Sequence, residues 1–285
     1  MATTTIDVVP VRETSGTSSE SYRAIKIVWK RELIRWSRNR TRIVTALMQP
    51  ILFLFVLGTG LADLLPKGTG HVDFKTFIFP GVLAMIVLFV SIYSAISIVW
   101  DREFGFMREM MVAPVPRAAI VVGKCLGGAT VATIQGAILL AMAGLVHVPY
   151  NPVLIISCLL ELTLTAFTLT ALGIMLAARM QQVESFQVIM QIFVLPLFFL
   201  SGAVFPLSGL PTWLEILTRV DPLTYAIDAI RRGIFAHINT GGASAFTKPL
   251  EWGHYVIPVP LELAIVLVVG LALMAGAIVQ FSRPE

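Results

Sequence analysis

Long apolar stretches alternate with short polar links along most of the chain. Six stretches, Ile43–Ala62, Thr76–Trp100, Cys125–Val146, Val153–Ala178, Ser185–Phe205 and Leu263–Ser282, are each long enough to cross a hydrocarbon layer, which takes about 20 apolar residues. Only the fourth carries a charge, Glu161. Lys124 stands just ahead of the third. If that helix begins nearer Ala118, its ammonium is expected to reach back to the headgroups. A different period precedes the first span. Between Ser21 and Asn39, Tyr22, Ile25, Trp29, Leu33 and Trp36 recur every three or four residues, with Arg23, Lys30, Arg31, Arg35 and Arg38 mainly between them. That period predicts a basic amphipathic helix lying in a headgroup layer, drawn to anionic lipid.

The expected architecture is an all-α polytopic membrane protein. Residues 1–20, rich in Thr, Ser and Glu, read as a disordered tail. Residues 21–42 read as the interfacial helix, 43–282 as the six-span domain and 283–285 as a short tail. The first apolar run begins only after residue 42, so no cleavable signal peptide is expected.

Composition agrees. Hydrophobic residues make up 56% of the 285 and charged residues 13%, with a mean hydropathy of +0.84. A soluble domain carries roughly 25% charged residues. The shortage excludes an ordinary soluble enzyme, a disordered scaffold and a nucleic-acid binder, although the pI is about 9.3. Cys125 and Cys158 both lie in apolar runs, which suits packing rather than a disulfide framework or metal site.

The basic residues fix a direction. Nine precede the first span: Arg12, Arg23, Lys26, Lys30, Arg31, Arg35, Arg38, Arg40 and Arg42. The first link holds only Lys67 and Lys75, and the second holds Arg102, Arg108 and Arg117. The third link holds none, and Arg179 follows the fourth span. This alternation places both termini in the cytoplasm. The fifth link carries Arg219, Arg231, Arg232 and Lys248 on the outer side, but long loops count little in that rule.

The second link reads WDREFGFMREMMVAPVPR. Asp101 and Glu103 suit a helix N-terminus, where the dipole favours acidic groups. Pro114 and Pro116 would stop that helix after about three turns, giving a helix over 101–113. Exposed Phe and Met residues in so short a loop point to a membrane surface or a partner's groove. The link resembles the first cytoplasmic loop of type-two ATP-binding-cassette permeases, through Asp101-Arg102-Glu103, Gly105, Glu109, Pro114, Pro116 and Arg117. Phe106-Met107-Arg108 replaces the commoner Thr-Leu-Glu. The resemblance implies a coupling helix that docks on an ATP-binding subunit through Asp101, Arg102, Glu103, Phe104, Gly105, Met107, Arg108, Glu109, Met110 and Arg117. The interfacial helix, with Tyr22, Trp29, Arg31 and Trp36, could touch the same partner.

The fifth link supplies a second match. Leu200–Leu214 reads LSGAVFPLSGLPTWL and Val220–Arg232 reads VDPLTYAIDAIRR. Asp221 can cap a helix with Pro222 at its first position. Arg231 and Arg232 follow Asp228 at ion-pairing distance along a helix. On local grounds this is an outer-surface helix. The order Ser-Gly-x-x-Phe-Pro, Leu-Pro-x-Trp-Leu and Asp-Pro-Leu-Thr-Tyr-Ala-x-Asp resembles the same family, whose drug-resistance branch includes daunorubicin/doxorubicin-exporter permeases and nodulation-protein relatives. The resemblance implies short re-entrant and outer helices over about 206–235, using Asp221, Pro222, Tyr225 and Asp228.

No GxxxxGK[ST] phosphate loop occurs, so this chain is not expected to hydrolyse ATP or bind a cofactor. The resemblance implies ATP and Mg in a separate subunit present in two copies. It also implies a second copy of this chain or a related permease, in a bacterial inner membrane. The expected cargo is amphipathic, drug-like or lipid-like, on a path near Gln135, Glu161, Gln187, Gln191 and Phe198. Glu161, about 12 Å into its span by helical rise, is a functional candidate or a packing group. The glutamines suit interhelical contacts. Two alternatives remain at this point: a lipid-linked glycan as cargo, or an ion-coupled secondary transporter using Glu161. His71, His147, His237 and His254 show no metal-ligand spacing.

Overall fold

The computed structural model describes residues 18–60, 74–106, 116–205, 207, 210–238, 249–252 and 255–282. Its α-helices are α1 (Ser18–Arg38), α2 (Arg40–Gly60), α3 (Phe74–Ser94), α4 (Ile96–Glu103), α5 (Arg117–Leu140), α6 (Pro152–Ala177), α7 (Val183–Leu200), α8 (Thr212–Val220), α9 (Pro222–Phe235) and α10 (Val259–Ser282). Six segments are long and apolar enough to span a membrane: α2, α3 continued by α4, α5, α6, α7 and α10. The all-α polytopic architecture read from the sequence is the observed one. A two-residue antiparallel ladder, Glu251–Trp252 with Tyr255–Val256, is added to it.

Local chemistry sets several boundaries. Asn39 breaks the chain between α1 and α2, and its Oδ1 accepts from the Arg42 amide at 3.0 Å. Asn151 does the same for α6, accepting from Val153 N at 2.9 Å with Pro152 in the first turn. The second span outruns its predicted end and continues to Glu103. Asp101 and Glu103 therefore close a helix rather than open one. The chain leaves that helix at Gly105, whose φ of +81° costs a glycine little. Residues 107–115 lie outside the described residues, as do 1–17 and 283–285, so the tail and most of the expected 101–113 helix fall there. Ser18–Glu20, assigned to the tail from composition, belong to α1. The last span begins at Val259 and takes in Glu262, a second carboxylate the sequence reading had placed outside.

Helix α3 is the centre of the bundle. Residues Thr76 to Leu88 are buried without interruption, and α2, α5, α6 and α9 pack around them. Against this core, α2, α7 and α10 leave most of their surface uncovered.

Two helices sit where the sequence alone did not place them. Helix α1 lies against α5 rather than only on a headgroup layer. Gly123 and Gly127 make the approach possible: a Cβ at Gly123 would stand 2.8 Å from Val28 Cβ, and one at Gly127 2.7 Å from Glu32 Cβ. Small residues four apart let helix backbones come together. Trp29 Nε1 donates to Thr130 Oγ1 at 3.1 Å, and Leu33 and Trp36 also turn inward. Tyr22, grouped with them by period, is 68% exposed. Helix α9 is not an outer-surface helix either. It is buried from Leu223 to Arg231 and packs between α6, α10 and α3. Its period marked one apolar face, but several surrounding helices cover it.

Candidate functional site

At the end of the bundle carrying α1, the second link rises from a base of buried charge. Lys124, expected at the headgroups, is buried instead, with its Nζ donating to Asp101 at 2.6 Å and to Ser97 Oγ at 3.0 Å. Glu32 lies 3.5 Å from the same ammonium, and Arg31 reaches Asp101 at 3.0 Å. The docking of α1 on α5 encloses the lysine, and the carboxylates then hold it. Buried charges persist only when paired in this way.

The neighbouring residues grip other helices. Arg102 donates to the carbonyls of Ala178 and Met180 at 2.8 and 3.1 Å, at the end of α6. Glu103 Oε2 accepts from Val183 N at 2.9 Å, at the start of α7. Arg117 donates to the carbonyls of Phe281 and Ser282 at 3.3 and 3.4 Å, closing α10. Cations on C-terminal carbonyls and an anion on an N-terminal amide are where helix dipoles favour them. Four residues that the resemblance assigned to docking thus hold contacts within the chain. Phe104 and Phe106, at 68% and 56% exposure, stand beyond them. Met107, Arg108, Glu109 and Met110 lie outside the described residues. Sequence reasoning missed Glu32 and Ser97, whose only signal was a polar side chain on an otherwise apolar helix face.

At the opposite end, the residues of the fifth link converge on α9. Asp221 Oδ1 accepts from Leu223 N at 2.9 Å, and Pro222 occupies the first helical position as read from the sequence. Tyr225 donates its hydroxyl to the Arg219 carbonyl at 2.7 Å. Asp228 pairs with Arg232 at 2.9 Å and accepts from Leu250 N at 3.0 Å. Arg232 also holds Glu262 and donates to the Ile257 carbonyl at 2.8 Å. Arg231, expected to pair with Asp228, instead donates to the Gly202 carbonyl at 2.6 Å and lies over the Phe77 ring. Burial pushes its guanidinium down to about 10, against the pull of Asp228.

Burial raises the Asp221 carboxyl to about 7, opposed by its bond from Leu223, and its Oδ2 has no hydrogen-bond partner. The folded state therefore holds a proton that the unfolded state, with an ordinary Asp value, has lost. Its stabilising effect is complete below pH 4 and disappears as pH rises through 7. For this group alone the expected loss is about 4 kcal/mol between those limits. Thermal unfolding in detergent at pH 5 and pH 8 should show wild type weakening at pH 8. Asp221→Asn, which keeps the capping oxygen, should flatten that difference; an unchanged slope would assign it elsewhere.

The expected cargo residues lie in separate surroundings within this chain. Gln135 is buried on α5, facing a cavity between α1, α2, α3, α4 and α5. Glu161 is buried on α6 beneath α9, where a Cβ at Gly233 would stand 4.0 Å from its Oε1. Gln187 and Gln191 lie on the exposed face of α7. Phe198 is buried edge-on to Phe53 of α2, with centroids 6.0 Å apart. Period and polarity selected these residues but could not say which cavity or face each would share. Among the described residues, no His, Cys, Asp and Glu group could hold a metal ion.

Six spans, a charged base under the second link and a buried α9 define a polytopic membrane protein. The ABC-2 type transporter family matches residues 23–235, and the chain belongs to it as a permease subunit. It is 29% identical over 227 residues to a putative transport permease, ycf38, of Cyanophora paradoxa, covering 77% of each chain. It is 28% identical over 210 residues to nodulation protein J of Rhizobium leguminosarum bv. viciae, covering 72% of this chain and 79% of that one. A probable multidrug ABC transporter permease, YbhR, of Escherichia coli K12 is 26% identical over 164 residues, 57% of this chain and 44% of that protein. Membership separates the chain from ion-coupled secondary transporters and implies association with an ATP-binding subunit.

Proposed function

We propose that this chain is the permease of an exporter in the drug-resistance branch of the family, moving an amphipathic cargo out of a bacterial inner membrane. Two ATPase subunits, holding ATP and Mg, dock on the α1 end of two permease copies, and both termini are cytoplasmic. The observation that carries this reading is the pair Phe104 and Phe106, exposed on a base whose charged neighbours hold α1, α5, α6, α7 and α10. Movement of a subunit bound at those rings would pull on most of the bundle at once. Support for a second copy comes from α7, where Gln187 and Gln191 share an exposed face with Val188 and Ile192. Polar side chains on a lipid-facing surface are costly and are better placed against another helix.

The test is co-purification with the ATPase encoded beside this chain, through a tag on the permease. Charge reversal at Glu103 would also break its bond to Val183, so the exposed rings give the cleaner variant. Phe104→Ser/Phe106→Ser should lower ATPase recovery at least about tenfold, as interface aromatics do when they dominate a contact. Unfolding of the permease alone should be unchanged. The mass of the complex should correspond to two permeases and two ATPases. Full recovery and full ATP hydrolysis with the double variant would overturn the docking surface.

A further inference from the structure

A cavity of about 260 Å³ opens between α1, α2, α3, α4 and α5, beside the Lys124–Asp101 pair. We propose that it binds the acidic headgroup of a phospholipid-like amphiphile entering from the adjoining leaflet. This deepens the exporter reading by naming a class of cargo. Only the identity of the leaflet rests on that reading; the binding itself does not.

The charge around the cavity is unbalanced in one direction. Arg31 and Lys124 are matched by Glu32 and Asp101. Arg35 and Arg42 remain. Arg35 lies over the Trp100 ring at 5.3 Å, and Arg42 donates to the Tyr93 carbonyl at 3.5 Å, but neither forms an ion pair among the described residues. Both guanidiniums line the same cavity, where they repel each other while Glu32 attracts Arg42. An anion there would offset that repulsion, and guanidinium forks suit phosphate oxygens.

An independent observation comes from the neutral groups of the same wall. Gln135 is 1% exposed and its Oε1 has no hydrogen-bond partner. Trp36 also lines the cavity, and its Nε1 is a buried donor without an acceptor. Buried polar groups are rarely left unpaired. An ester or phosphate oxygen would satisfy the indole N–H, and a headgroup hydroxyl would satisfy the amide. The remaining wall, with Met85, Phe89 and Val90, is apolar and continuous with membrane-spanning helices. An anion carrying an acyl chain fits both parts; a free anion fits only the basic part.

Trp36 and Trp100 both line the cavity, so quenching reports occupancy in a Trp29→Phe/Trp213→Phe/Trp252→Phe background. The full chain, delipidated in detergent without any ATPase, is titrated with phosphatidylglycerol brominated on its acyl chains. Brominated phosphatidylcholine and inorganic phosphate are the comparison arms. The acidic lipid should half-saturate at about tenfold lower concentration than the zwitterionic one, in line with two basic side chains facing its charge. Arg35→Gln/Arg42→Gln should abolish that preference. Val131→Phe, an uncharged substitution in the wall, should weaken the acidic lipid with both arginines in place. Equal quenching by the two lipids, or a preference surviving both variants, would assign the effect to lipid around the bundle and overturn the site. Displacement of the acidic lipid by inorganic phosphate at equal concentration would make it a free-anion site and also overturn the proposal. Failure of ATPase docking leaves each of these outcomes unaffected.

Discussion

Replacing Asp101 with alanine is expected to destabilise the protein by about 3 kcal/mol or more, the range found when one partner of a buried ion pair is removed. The Lys124 side chain is 2% exposed, and its closest contact is Asp101 at 2.6 Å. Without that carboxylate the ammonium keeps only Glu32 at 3.5 Å and the Ser97 hydroxyl. Lys124→Met should cost less, because Asp101 retains Arg31 at 3.0 Å and the Arg31 side chain is still 42% exposed to solvent. The double variant Asp101→Ala/Lys124→Met should recover much of the loss, since an apolar pair carries no desolvation penalty. Unfolding of the four proteins in detergent forms a double-mutant cycle. A double variant no better than Asp101→Ala alone would show that the two side chains are not coupled. Because the pair joins α1, α4 and α5 beneath the second link, the single variants should also lower ATP-dependent transport when membrane insertion is normal.

Gly81→Ala should be the most damaging glycine-to-alanine change among the described residues, above about 3 kcal/mol, beyond ordinary overpacking. A Cβ there would lie 2.1 Å from the Ala203 carbonyl oxygen and 2.7 Å from its carbon. Both are backbone atoms, and the turn that carries them cannot easily retreat. Gly202 holds it with a φ of +72°, and Arg231 bonds the Gly202 carbonyl from α9. The greater helix propensity of alanine, worth about 1 kcal/mol, is too small to offset this. Gly136→Ala provides the comparison: its Cβ would meet Val87 Cγ2 at 3.1 Å, a side chain able to shift. Similar folded yields for the two variants would mean that the turn is not fixed against α3.

The six spans were legible because a membrane span is a local property, set by about 20 consecutive apolar residues. The Asp221-Pro222 helix start was legible for the same reason, since the cap is a contact within three residues. The second link shows where that reasoning ends. Its acidic start suggested a new helix, yet the apolar run before it carried α4 through Asp101 to Glu103. Composition could not rank those two tendencies; packing against α6 and α7, with the Lys124–Asp101 pair, did.

Sequence by itself determined that this is an all-α chain with six spans, that its basic residues gather at one end, and that two motifs place it among ATP-binding-cassette permeases. Tertiary structure alone decided the rest. It put Lys124 on Asp101 instead of on headgroups, sank α9 among three spans, laid α1 along Gly123 and Gly127, and separated Gln135, Glu161 and Gln187 into different surroundings. The physical reason is distance along the chain. Hydropathy and capping act over neighbouring residues, whereas burying a charge or opening a cavity depends on helices brought together from far apart in the sequence.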